Sequence, residues 1–380
     1  MILFFAVFLS IVGGINFYVF IRGLQTIPVG SGYRTVYIIL FWAVAVSFFA
    51  GRILENYRPS FLSDLLIWVG SFWFAALFYF LLAVIFVDIL RALNHFLPFF
   101  PSIITHDLPK AKHFIAAGIT VLVGLLLLAG HINSRIPCVR TLNLKIDKHA
   151  GDLKHLNVVV ASDFHLGTIV GRARLERIVD KIKSLNPDVV LLPGDIVDED
   201  LTQVAKNNIG EPLRTIRSRF GVYAATGNHE YIGDIKKAAA FLTGHDVTLL
   251  RDRAVKVAGA FYLIGREDLS ANRFGGQQRK NLSELMTDVD KNYAVIMMDH
   301  QPFRLKEAAE CGVDLQLSGH THNGQIWPIN YIIRLIYELP WGYRENGDTH
   351  YYVSNGVGTW GPPVRIGNRP EIVNILIEFE

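Results

Sequence analysis

Hydrophobic and polar positions divide the chain into two textures. Four stretches carry no charge: Ile2 to Ile21 (20 residues), Thr35 to Gly51 (17), Leu65 to Val87 (23) and Phe114 to Gly130 (17). Crossing the hydrocarbon core of a bilayer takes roughly 20 apolar residues, so each stretch predicts a transmembrane helix. None shows the polar face that a water-exposed helix needs. The first could be read as a secretory leader, but it lacks a basic opening segment and a small-x-small site before Arg22.

From about residue 134 the apolar runs shorten to strand length, charges become frequent and turn residues separate the runs. Leu142, Leu144 and Ile146 alternate with polar residues, as in a half-exposed strand, whereas Leu156 to Ala161 is unbroken, as in a strand buried on both faces. Helical spacing follows at Leu175, Ile178, Val179 and Ile182. Further strands are predicted over 189–192, 222–225, 260–264, 294–298, 315–317, 351–353 and 372–377, with helices near 235–242 and 303–309. Strands alternate with helices at first, and the late strands look antiparallel. The expected organisation is a multi-pass four-helix transmembrane domain at 1–133 (spans about 2–21, 35–51, 65–87 and 114–130), then a linker and first strand at 134–154. A layered α/β (α+β) sandwich of four layers, not a doubly wound sheet, is expected over 155–380.

Composition sharpens this division. Hydrophobic residues make up 51% of the chain and charged ones 19%, with a mean hydropathy of +0.30, which excludes intrinsic disorder. Arg22, Arg34, Arg52, Arg58, Arg91, Lys110 and Lys112 against Glu55, Asp64, Asp88 and Asp107 account for the whole formal charge of +3. The second half is therefore neutral, and no nucleic-acid scaffold is expected, since phosphate-backbone binding needs a basic face. Cys138 and Cys311 make neither a zinc cluster nor a disulfide framework.

Candidate chemistry sits where the predicted strands end. Asp163 and His165 follow the first buried strand, Asp195 and Asp198 (in Gly194-Asp195-Ile196-Val197-Asp198) the next, and Asn228, His229 and Glu230, after Gly227, the third. His300 and then Gly319-His320-Thr321-His322 end two later strands. Loops at strand exits bring distant side chains into one crevice. Carboxylate, amide and imidazole donors without thiolate favour Mn, Fe or Zn in a reactive site over a structural Cys-type zinc. Each cluster alone is a common turn or loop pattern; five in this order are not. Asp198 reads either as a partner of the site or as a turn carboxylate beside Glu199 and Asp200. His95, His106 and His113 read as solvated or interfacial residues of a membrane loop. His149, His155, His245 and His350 lack a strand-exit setting with partners. Asp299 could orient His300 or face solvent, and Arg266 and Arg365 read either as phosphate clamps or as surface charges.

In the order Asp-x-His, Gly-Asp-x-x-Asp, Gly-Asn-His-Glu, lone His and Gly-His-x-His, the chain resembles the calcineurin-like metallophosphoesterases over about residues 155–360. Its four preceding spans, Gly324-Gln325-Ile326 and Asn355-Gly356-Val357-Gly358 resemble that family's membrane-associated branch. The resemblance implies two divalent metal ions, one held by Asp163, His165 and His322, the other by Asn228, His300 and His320, with Asp195 bridging. It implies attack by a hydroxide shared between the metals, with His229 assisting the leaving oxygen and Asp198 orienting His229. The reaction class is then phosphoester hydrolysis.

Membrane attachment narrows the substrate to a phosphodiester or pyrophosphate in a lipid-linked molecule, either UDP-2,3-diacylglucosamine-like or a phospholipid head group, with membrane lipids as partners. The stretch Tyr331 to Tyr337 could dip into the interface or pack as an ordinary helix. The rival class is a catalytically silent membrane receptor or scaffold that uses the metal pocket only to bind. Four even spans place the N-terminus and the second half on one side. Arg22, Arg34, Arg91, Lys110 and Lys112 on the first and third loops outnumber Arg52 and Arg58 on the second, so the site is expected outside the cytoplasm, on a plasma or inner membrane. Counting Arg135, Arg140, Lys145 and Lys148 after the fourth span would reverse the balance, although large translocated domains follow the rule poorly.

Overall fold

The computed structural model describes residues 2–198, 201–276 and 278–380, so Glu199 and Asp200 lie outside it. The chain divides into two compact units, Met1–His131 with Pro362–Val364, and Ile132–Gly361 with Arg365–Glu380.

The described residues of the first unit form helices α1 (Ile2–Leu24), α2 (Gly32–Tyr57), α3 (Phe61–Phe96), the short α4 (Ser102–His106) and α5 (Leu108–Ser134), the last of which ends in the second unit. Four of these, all but α4, are long and apolar enough to cross a membrane. Each runs past the uncharged stretch that predicts it. α3 continues through Asp88 and Arg91 because those charges are answered. Asp88 takes an ion pair from Arg22 at 2.6 Å, a hydrogen bond from the Tyr18 hydroxyl at 2.6 Å and Arg91 at 3.2 Å. The expected loop around His95, His106 and His113 is instead helical at all three: His95 sits in the last turn of α3, His106 ends α4 and His113 is within α5. A Cβ at Gly70 would collide with the backbone of Phe48, and one at Gly51 with that of Ile67. Small residues thus let α2 and α3 approach closely, as helices in lipid do.

The second unit holds twelve strands among the described residues: β1 (Cys138–Ile146), β2 (His155–Val160), β3 (Val189–Pro193), β4 (Val222–Ala225), β5 (Val247–Leu249), β6 (Arg253–Val257), β7 (Phe261–Gly265), β8 (Val295–Met298), β9 (Leu315–Ser318), β10 (Gly342–Asn346), β11 (Thr349–Val353) and β12 (Glu371–Phe379). They form two six-stranded sheets, in the orders β1-β12-β2-β3-β4-β5 and β10-β11-β9-β8-β7-β6. The late strands are not antiparallel as a group. β7, β8, β9 and β11 run parallel to one another, and only the β6–β7 and β10–β11 pairs of this sheet reverse direction. The tight turn before Thr349 makes a hairpin with β10, but β11 then pairs with β9, a partner distant in sequence.

Helices α6 (Arg172–Lys183), α7 (Leu201–Lys206), α8 (Asn228–Ile232), α9 (Ile235–Gly244), α10 (Leu282–Leu285), α11 (Leu305–Cys311) and α12 (Ile329–Ile336) accompany the sheets. Successive strand residues point to opposite faces. Val158 and Val160 therefore join Leu263, Ile296 and Leu317 in the core between the sheets, while Val159 and Ala161 pack with Leu175, Ile178 and Leu242 of α6 and α9. Ile264, Val295 and Met297 form a third core with Leu285, Leu305 and Ala308 of α10 and α11. Burial on both faces is the reason these strands read as continuous apolar runs, and the result is the expected four-layer sandwich.

Candidate metal centre

Five parallel strands, β2, β3 and β4 of one sheet and β8 and β9 of the other, release their chains toward a shared crevice. Immediately beyond their ends come Asp163, Asp195, Asn228, His300, and His320 with His322. The turns are tight enough that five of the side chains sit on left-handed backbone: Asp163 (φ 54°), His165 (52°), Asp195 (52°), His320 (70°) and His322 (47°). Non-glycine residues rarely adopt this conformation, and such strain clusters at functional sites. Glycines make the crowding possible. A Cβ at Gly227 would strike the Asp195 carboxylate and one at Gly319 the Asp163 carboxylate.

The loops are tied to each other. Asp163 N–H donates to Gly194 O at 3.1 Å, His165 N–H to Asp195 O at 3.1 Å, and Gly319 N–H to His300 O at 2.9 Å. Glu230, which carries no assigned role in the sequence reading, is the fastener. Its buried carboxylate accepts from the backbone N–H groups of Asp195 (3.0 Å), Ile196 (2.7 Å), Val197 (3.1 Å) and Gly227 (2.7 Å). The signal for this role lay in its position: an acid directly after a buried strand exit has to find donors, and loop amides are the donors at hand.

The expected donors meet in three overlapping groups, each with one ligand atom per residue within 4.8 Å of the others: Asp163, His165 and His322; His165, Asp195 and His229; and Asp195, His300 and His320. Asn228 completes the last, its Oδ1 lying 2.8 Å from His320 Nδ1 and 3.3 Å from His300 Nε2. The Asp195 carboxylate stands between the outer groups, 3.1 Å from His300 Nε2 and 3.9 Å from His165 Nε2.

This arrangement fits divalent cations on its own evidence. Asp163 Oδ2 is fully buried without a hydrogen-bond partner, a costly state for a carboxylate oxygen that a cation would relieve. The Nε2 atoms of His165 and His322 face each other at 3.1 Å. Ligand imidazoles must also be neutral. Burial and then the neighbouring His300 charge push His320 down to about 3, and burial with Arg365 holds His322 well below the ordinary histidine range. At His300 burial acts downward too, but the Asp195 carboxylate overcomes it and raises the group well above that range, so a cation held there would displace its proton. Burial raises the Asp163 carboxyl. At Asp195 burial acts in the same upward direction, but the His300 and His229 imidazoles overcome it and hold the group well below the usual carboxylate range.

Asp198 is a partner of the site rather than a surface-turn carboxylate: His229 Nδ1 lies 2.9 Å from its Oδ1. Three other expectations are corrected. Arg365 is no phosphate clamp, because it is fully buried and donates to the carbonyls of Gly356 (3.2 Å) and Gly358 (2.8 Å), with its Nη2 also 3.1 Å from His322 Nδ1. Arg266 is consumed by Asp299 at 3.3 Å and Glu307 at 3.1 Å. Asp299, which also pairs with Arg279, is buried and does not orient His300. The His300 Nδ1 sits instead 2.8 Å from Pro193 O. Around the rim, the Trp360 ring lies 6.1 Å from that of His229 and the Tyr337 ring 6.0 Å from that of His320.

A four-layer sandwich with carboxylate, amide and imidazole donors at its strand exits defines a metal-binding enzyme fold. The family description calcineurin-like phosphoesterase matches residues 156–324. The transmembrane protein with metallophosphoesterase domain of Danio rerio is 32% identical over 68% of this chain and 61% of its own length, and that of Bos taurus 31% identical over 64% and 57%. An uncharacterized metallophosphoesterase of Aquifex aeolicus (strain VF5) is 32% identical over 63% of this chain and 94% of its own. The chain belongs to the calcineurin-like metallophosphoesterase family, metal-dependent phosphoesterases. It spans about three fifths of the length of the two transmembrane relatives.

Proposed function

We propose that this protein is a multi-pass membrane-anchored phosphoesterase that uses two divalent ions (Mn, Fe or Zn) to hydrolyse a phosphodiester or pyrophosphate bond in a lipid-linked substrate. A UDP-2,3-diacylglucosamine-like molecule and a phospholipid head group both meet that description. The observation that carries the reading is the Asp195 carboxylate standing between two sets of donors. Asp163, His165 and His322 would hold one ion and Asn228, His300 and His320 the other, with Asp195 common to both. Divalent ions supply Lewis acidity there, drawing charge from phosphoryl oxygens and acidifying water.

The chain's own proton chemistry belongs to His229. Burial works against ionisation of Asp198, but the His165 imidazole, 3.8 Å away, and the hydrogen-bonded His229 imidazole outweigh it and keep the carboxylate ionised, so the contact at 2.9 Å puts the His229 proton on Nδ1. That fixes the ring orientation and assigns exchange with the leaving oxygen to Nε2. Four apolar helices in the same chain support the choice of a lipid-linked substrate. The charge distribution of their loops favours a site outside the cytoplasm, on a plasma or inner membrane.

The test is turnover of bis-p-nitrophenyl phosphate and p-nitrophenyl phosphate by the full chain in detergent with added Mn²⁺, beside Asp195→Ala. Metal-dependent turnover lost in the variant is expected, with the diester preferred. Bound metal without turnover of either ester would overturn the reading.

A further inference from the structure

The loop that carries His322 leads directly into α12 (Ile329–Ile336), and this helix does not turn an apolar face to the core. None of its residues is buried. Tyr331, Ile332, Leu335 and Ile336 are all exposed, Leu335 to 87%. Trp327, just before the helix, and Trp360, at 56%, add two exposed indoles. Gln325 holds these two segments together: its side chain accepts from Trp360 N–H at 2.9 Å and donates to Trp360 O at 2.9 Å.

Water-facing surfaces rarely gather this many exposed large apolar side chains on one short helix and the segment tied to its start. These side chains also neighbour the metal centre, since the Trp360 ring lies 6.1 Å from that of His229 and the ring of Tyr337, at the end of α12, 6.0 Å from that of His320. The only charge on α12 is a cation, Arg334, whose guanidinium lies 5.8 Å over the Tyr331 ring. Aromatic rings, aliphatic side chains and one arginine whose stem can run along them while its head stays in the polar layer are the chemistry of a segment lying in a lipid interface. Arg334 also complements the phosphates of that layer.

From these observations we infer that α12 with Trp327 and Trp360 docks into the head-group layer of a bilayer and presents the mouth of the metal centre to lipid-borne phosphate. The inference deepens the function proposed above and rests on it for the substrate, but the docking itself does not require turnover. Four bilayer-length helices in the same chain keep a lipid surface within reach of the domain, so a modest apolar patch suffices for stable contact.

The experiment uses the full chain in nanodiscs of phosphatidylethanolamine and phosphatidylglycerol carrying a nitroxide-labelled lipid. A fluorophore is placed at Leu335→Cys, or as a control at Lys181→Cys on the exposed side of α6, in a background where Cys138 and Cys311 are serine. Quenching at position 335 several-fold stronger than at 181, and weakened by Ile332→Ser with Ile336→Ser, is the expected result. Equal quenching at the two positions overturns the docking, as does a probe at 335 shielded by a second copy and found in dimers. Bis-p-nitrophenyl phosphate turnover, measured on the same samples, reports separately on the phosphoesterase reading.

Discussion

At the scale of single residues, His229 and Asp195 separate proton transfer from metal binding. His229 belongs to none of the proposed ligand sets but touches Asp198, so His229→Ala is expected to lower kcat by about 10²-fold or more while the metal content stays unchanged. Metal analysis of the purified variant beside its kinetics checks this, and loss of metal would show that His229 is a ligand. Asp198→Asn should cost less rate than His229→Ala, because it disturbs the ring's orientation and leaves the imidazole in place. Removing metal with a chelator should lower the melting temperature, since the buried Asp163 oxygen and the facing imidazoles of His165 and His322 would then lie unrelieved. Thermal melts before chelation, after it and after Mn²⁺ is returned would read that change.

At the scale of elements, the strand exits were legible because burial on both faces leaves a continuous apolar run, and each run stops where polar donors begin. Asp163, His165, Asp195, Asn228, His300, His320 and His322 could all be named on that basis together with the family pattern. Contacts made across long stretches of chain were not legible. Nothing in the local pattern says that Arg365 reaches His322, or that Glu230 gathers four amides from two loops. The four long helices of the first unit were legible as to number, but the short α4 and the ends of the long ones were not, because a charge such as Asp88 stops an uncharged run without stopping a helix that has partners for it. Glu230→Gln gives the element-scale prediction. Gln has one acceptor oxygen and an amide that opposes the loop N–H groups, so at least one buried donor is left unmade. The expected cost is about 2 kcal/mol or more of stability, visible as a lowered melting temperature, with metal affinity falling because the Asp195 loop is no longer fastened.

At the scale of the whole molecule, the two units make different demands on their surroundings. If the four long helices cross a bilayer, the chain stays in the membrane pellet through an alkaline carbonate wash and is released only by detergent. Release by carbonate alone would remove the anchoring proposed above. Sheet order has a further consequence, for the way the chain is made. β12 lies between β1 and β2, pairing with the first in parallel and the second antiparallel. On the ribosome, β1 and β2 therefore emerge as neighbours in sequence that cannot yet be neighbours in a sheet. The seam closes only after residues 371–379 have been synthesised. The loop that braces Ser162 through the Val357 N–H and Asp163 through the Gly358 N–H appears scarcely earlier. If the nascent helices of the first unit enter a bilayer, they do so while the rest of the chain is still open, and the crevice becomes complete only when synthesis of the sandwich is nearly finished.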